Sequence, residues 1–161
     1  MNADEVRRRN GELDDHLLSI VDLIDPRRLH VPEQKPEGVE AWSAATVLAH
    51  VAEFSRFFAT ELRRLLADPA VAVGRTHEHP ERLAAVAAAG SRSLDELRAE
   101  VTAAFANLAA ALDALEDDHL AVRTNNRRYG PEPLTAFLDR YVLGHKQGHA
   151  QQLADLVKEA R

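Results

Sequence analysis

The sequence predicts an all-α fold: a four-helix bundle with up-down-down-up topology and a long crossover between helices two and three. Three observations predict it. Apolar residues recur at helical spacing in four long segments, no segment alternates apolar and polar residues as a half-buried strand does, and the proline-bearing stretches fall between those segments. The 161 residues read as one domain, 1–161, long enough to bury a full core.

In helix one, Val6, Leu13, Leu17, Ile20, Val21 and Ile24 trace a stripe from Ala3 to Ile24. Asp25-Pro26 ends it, because the residue before proline disfavours the α region. Pro26 to Trp42 is a polar, proline-bearing loop in which His30 reads as solvated. Ser43 caps helix two, which runs to Ala67 with Val47, His50, Val51, Phe54, Phe58, Leu62 and Leu65 on its apolar face. Asp68 to Arg92 carries no sustained stripe beyond a helical turn around Pro80 to Ala89. A connection so long suits a crossover that sets helix three parallel to helix two. Ser93-Leu94-Asp95-Glu96 is a capping box, and Leu97, Val101, Phe105, Leu108, Leu112 and Leu115 carry helix three to Glu116. The polar loop Asp117–Gly130 follows. Pro131 and Pro133 then start helix four, which runs to the C-terminus, and no credible strand is present.

His145 and His149 occupy the core stripe of helix four, where the pattern otherwise demands leucine or valine. At i and i+4 they lie one above the other, with Cβ atoms roughly 5–6 Å apart, close enough to share one ion. His50 is the polar member of the helix-two stripe, and the expected topology brings it to the same level within a turn or two. Three inward imidazoles are costly unless each finds a partner, and a shared divalent metal satisfies them all. Three imidazoles suit zinc, nickel, copper and iron alike.

Composition bounds the alternatives. There is no cysteine, so any metal is held by nitrogen and oxygen. A net charge of −6 argues against a nucleic-acid surface. The chain lacks an apolar run of membrane-spanning length and an N-terminal signal pattern, which leaves a cytoplasmic protein as the expectation.

Trp42-Ser43, Val47-Leu48-Ala49-His50-Val51 and His145-x-x-x-His149-x-x-Gln152 together resemble the DinB-like superfamily of damage-inducible four-helix bundles, over essentially the whole chain. The resemblance implies metal ligation by His50, His145 and His149, with zinc or nickel foremost. Characterised relatives include S-transferases that use bacillithiol or mycothiol, and a mycothiol-dependent maleylpyruvate isomerase whose extra C-terminal domain this length leaves no room for. The expected function is a divalent-metal-dependent enzyme, a thiol-dependent S-transferase that activates a thiol or water at the three histidines. A metal-dependent hydrolase and a non-catalytic metal- or small-ligand-binding stress protein are the alternatives. The expected partners are a small-molecule substrate and a low-molecular-weight thiol co-substrate, with no nucleic acid or membrane, and a homodimer is allowed.

Other constellations read more plainly. Gly144 and Gly148 serve close helix packing or leave room for substrate, and Gln152 orients a ligand or faces water. Glu116-x-x-His119 lacks the second copy that a di-iron site needs and reads as a solvated helix end. Asp14-Asp15-His16 reads as surface, and no Gly-x-Ser-x-Gly elbow supports a hydrolase triad. Arg123, Arg127 and Arg128 read as a solvated loop at the end opposite the metal. Arg75, His77, His79 and Arg82 lie on the crossover, which returns toward the metal end. Trp42 precedes the helix-two cap and belongs at that end too, so substrate is expected to enter between the 26–41 loop and the crossover.

Overall fold

Helix α1 (Ala3–Val21) begins where Asn2 accepts the backbone N–H of Glu5, and α2 (Ala44–Ala67) where Ser43 accepts that of Thr46. The computed structural model describes residues 1–159, so the last two residues of the expected domain and fourth helix lie outside it. Between α1 and α2, Pro26–Arg28 makes one 3₁₀ turn, and Pro32 bridges to Ser43. The crossover holds β1 (Ala72–Val73) and α3 (Pro80–Ala88). The Ser93–Glu96 capping box opens α4 (Leu94–Leu112), and α5 (Asp117–Leu120) follows. Next come β2 (Arg123–Asn126), β3 (Gly130–Pro133), α6 (Leu134–Phe137), a π-helical segment over Leu138–Gly144, and α7 (His145–Glu159).

The chain is mostly helical, and the all-α expectation is corrected by a small three-stranded sheet ordered β1-β2-β3. β1 pairs parallel with β2, and β2 antiparallel with β3, Thr124 opposite Glu132. The buried positions of β2 and β3 are Thr124, Asn126 and Glu132, polar rather than apolar, and β1 adds only Val73, so hydropathy carries no strand signal. Hydrogen bonds specify it instead. Asn126 Oδ1 accepts the backbone N–H groups of Arg128 and Tyr129, and Asn126 Nδ2 donates to Glu132 Oε1 at 2.7 Å. Gly130, at φ 73°, closes the turn where side chains rarely fit. Pro131 therefore lies in a strand, and the last helical region begins at Leu134.

Contacts between the long helices give their directions. Arg98, early in α4, pairs with Asp22 at the end of α1, while Arg7 donates to the carbonyls of Leu112 and Leu115 at the other end. These two helices are antiparallel. Phe54 stacks on His145 and Phe58 on Tyr141, so α2 runs antiparallel to the last helix. Lys146 is fully buried, donates to Asn10 Oδ1 at 2.7 Å, pairs with Asp14, and lies 4.4 Å from the Phe105 ring centre. Asp14 is thus a half-buried ion-pair partner rather than a free surface charge. Burial pushes the Lys146 ammonium below its usual range and the Asp14 carboxyl above its own, while their mutual attraction opposes both shifts.

The π-helical segment widens one turn just before His145. There the Asp139 carbonyl oxygen lies 2.7 Å from where a Gly144 Cβ would stand, whereas a Cβ on Gly148 would meet nothing within 4 Å. Gly144→Ala is therefore expected to cost about 1–3 kcal/mol through backbone displacement. Gly148→Ala is expected to leave stability unchanged or raise it by up to about 1 kcal/mol. Urea denaturation of the two variants checks this, and equal midpoints would contradict it.

Candidate metal centre

The Ser43 cap fixes the start of α2, which sets His50 on its apolar face two turns in. The π-helical segment ends at Gly144, so α7 starts on His145 and presents His149 one turn later. The structure brings the three predicted histidines together. The Nε2 atoms of His50 and His145 are 3.3 Å apart, and one nitrogen from each of the three rings falls within 4.8 Å of the others. Two imidazoles on one tetrahedral ion, at about 2.0–2.1 Å per bond, stand roughly 3.3–3.4 Å apart, which the observed pair matches.

The surroundings favour neutral rings with inward lone pairs. Gln152 Nε2 donates to Glu33 Oε1 at 3.1 Å, since a carboxylate only accepts. Gln152 Oε1 therefore accepts from His149 Nδ1 at 3.0 Å, leaving His149 Nε2 as the free base. Trp42 stacks on His149 with centroids 5.7 Å apart, and Phe54 stacks on His145 at 4.3 Å. His50 Nδ1 is buried, lies 3.6 Å from Glu53 Oε2, and has no hydrogen-bond partner among the described residues. Arg75 grips both oxygens of Glu53 at 2.5 and 2.6 Å. Burial pushes the Glu53 carboxyl up, but its contacts with His50 and Arg75 outweigh this and hold it at about 2. Burial, then the neighbouring imidazoles, pushes His145 down to about 2 and His149 down to about 4. Burial also lowers His50, against the pull of Glu53. Three neutral nitrogen donors, one with an orphaned far side, fit a divalent cation.

A cavity of about 340 Å³ opens beside His50 and His145. Arg75, His77 and Arg82 of the crossover line it, as does Gly144, while His79 packs instead against Phe57. The hairpin lines it too, through Arg128 and Tyr129, so the placement of that loop far from the metal is corrected. Parallel pairing of β1 with β2, and an Arg127 N–H donating to the Val73 carbonyl at 2.8 Å, draw the hairpin to the crossover. The opening accordingly lies between crossover and hairpin. On the 26–41 loop side, a crevice of about 170 Å³ is lined by Glu33, Glu40, Trp42, His149 and Gln152. His119 Nδ1 accepts the Glu116 backbone N–H, so that motif caps α5. Arg140 and Tyr141 also line the cavity, and sequence reasoning missed both as site residues, along with Glu53 and Tyr129. Of these, only Glu53 carried a signal, three residues after His50 on one helix.

Residues 14–155 match the family described as the mycothiol maleylpyruvate isomerase N-terminal domain. No curated protein matches the chain by sequence. Among solved structures, the mycothiol-dependent maleylpyruvate isomerase aligns with a TM-score of 0.73 at 18% identity, covering 95% of this chain and 61% of that one. The chain thus spans less than two thirds of the isomerase. DfsB, a sibling lethal factor precursor, aligns at 0.76 and 16% identity over 100% and 98% of the two chains. The colibactin self-resistance protein ClbS, crystallised with double-stranded DNA, aligns at 0.74 and 11% identity over 98% and 96%. At such identities the likeness is one of fold. The ClbS complex overturns the exclusion of nucleic acid, because net charge averages over a surface on which arginines gather locally, as they do beside this cavity. No helix among the described residues is long and apolar enough to cross a membrane. The domain match and the shared fold make this chain a member of the mycothiol maleylpyruvate isomerase N-terminal domain family, within the DinB-like superfamily.

Proposed function

We propose that the chain is a divalent-metal-dependent enzyme that transfers the sulfur of a low-molecular-weight thiol to an electrophile, with His50, His145 and His149 holding zinc or nickel. The observation that carries this reading is the convergence of three imidazoles, two of which, His50 and His145, line an open cavity. An ion bound there lowers the pKa of a thiol or water and so supplies a nucleophile at neutral pH. The chain's own residues prepare the place. Gln152, tied to Glu33, keeps the His149 proton on Nδ1, and Glu53, held ionised by Arg75, favours the same tautomer of His50. Trp42 and Phe54 exclude water from the ring faces of His149 and His145. The mycothiol-dependent isomerase among the structural neighbours supports a thiol as co-substrate.

Elemental analysis of untagged protein is expected to find about one transition metal per chain, with His145→Ala and His149→Ala losing most of it. Equal metal in wild type and all three alanine variants would sink the assignment. The metal-free protein should also weaken in acid. Its imidazoles have folded pKa values below the unfolded value of about 6.5, so the unfolded chain binds more protons and stability falls as pH drops from 6.5 through 4. Urea midpoints at pH 7 and pH 4.5 measure the loss, which His149→Gln should reduce; a flat wild-type profile contradicts it. Finally, mycothiol or bacillithiol is expected to shift the d–d spectrum of cobalt-substituted protein. An unmoved spectrum together with ester or amide cleavage would identify a hydrolase instead.

A further inference from the structure

A second cavity, of about 420 Å³, adjoins the first and shares Arg75, Thr76 and Arg128 with it. Arg64 and Arg127 complete its basic lining, and Phe57 supplies an apolar wall. Its one lining carboxylate, Glu61, is 3% exposed and already engaged. Glu61 accepts the Gly74 backbone N–H at 2.9 Å, Arg64 Nη1 at 2.5 Å and Arg127 Nη1 at 3.2 Å. Arg75 is answered from behind by Glu53. Four guanidiniums therefore meet two carboxylates, and among the described residues Arg128 has no carboxylate partner. The surplus lies in a chain whose net charge is −6, so it is a local concentration of positive charge.

The walls are tied together. Arg127 Nη1 donates to the Gly74 carbonyl at 2.9 Å, which binds hairpin to crossover. Gly74, at φ 87°, adopts a conformation strained for any other residue, and a Cβ there would press on Asn126 Oδ1 at 3.2 Å and the Tyr141 hydroxyl at 3.3 Å. Planar guanidinium forks held on such a frame suit carboxylate and phosphate oxygens.

We propose that this second cavity is an anion subsite that takes the phosphate or carboxylate of a small ligand. Arg128 stands on the partition, so the same ligand reaches the histidines with its other end, the sulfur if the function proposed above holds. The subsite itself does not depend on that function. The pocket lies between two tied loops and accepts a small anionic group at one end of an elongated molecule.

Calorimetric titration of the full-length, metal-loaded chain with inorganic phosphate and with succinate tests this. Saturable binding of at least one of them is expected, about tenfold weaker in Arg128→Gln and in Arg127→Gln. Arg140→Gln, which removes a guanidinium of the metal cavity and a partner of Glu132 but no group of the second cavity, should stay within about twofold of wild type. His145→Ala should retain the binding even as it loses metal, so failure of the metal reading and failure of the subsite are told apart. Tighter phosphate binding assigns a phosphorylated ligand, and tighter succinate binding a carboxylated one. Arg127→Gln also removes a partner of Glu61; should it fail to fold, Arg128→Gln decides alone, because it leaves no carboxylate behind. The subsite is overturned if neither anion binds saturably, or if binding vanishes in His145→Ala and Arg140→Gln but persists in Arg127→Gln and Arg128→Gln. It is also overturned if a short DNA duplex binds through Arg128 and phosphate does not displace it.

Discussion

The rotation of α7 about its own axis decides whether the three histidines can meet, and a buried ion pair sets that rotation. Lys146 follows His145 directly, so the two side chains diverge by about 100° around the helix. The Lys146 ammonium is held by Asp14 and Asn10 on α1, and this turns His145 toward α2. A one-residue slip would carry a lysine into the aromatic surroundings of His145 and strand Asp14, an uncompensated charge worth several kcal/mol. Desolvation of both charges offsets much of their mutual attraction, so the pair adds little to gross stability. The π-helical segment upstream supplies the phase from which α7 departs.

Helices and caps were legible because they are written locally. Ser43, the Ser93–Glu96 box and the Asp25-Pro26 stop act within one turn, and apolar spacing marks each core face. The metal-binding candidates were legible because histidine stood where a stripe called for an aliphatic residue. What the sequence hid depends on partners distant along the chain. Asn126 and Glu132 build a sheet through polar contacts that hydropathy scores as loop. Lys146 and Asp14 meet across more than a hundred residues and look like two surface charges when read apart. The wide turn over Leu138–Gly144 carries no side-chain signal of its own beyond Gly144, where a Cβ would meet the Asp139 carbonyl.

The division of labour follows from this. The histidines stand on long helices whose interior packing holds them to one geometry. Much of the cavity wall comes from the crossover and the hairpin, connecting segments where sequence varies more readily than in the helices they join. Relatives with the same fold at 11–18% identity can thus keep a helical frame while differing in what the groove admits.

Trp42 gives the molecule an optical property of its own. It is the chain's single tryptophan, 7% exposed, with its ring plane 2° from that of His149 and edge-on to His50. Indole emission from the whole protein therefore originates within ring contact of two of the three imidazoles. Any change in the charge or occupancy of those rings alters the light the protein emits, without a label and without a substrate.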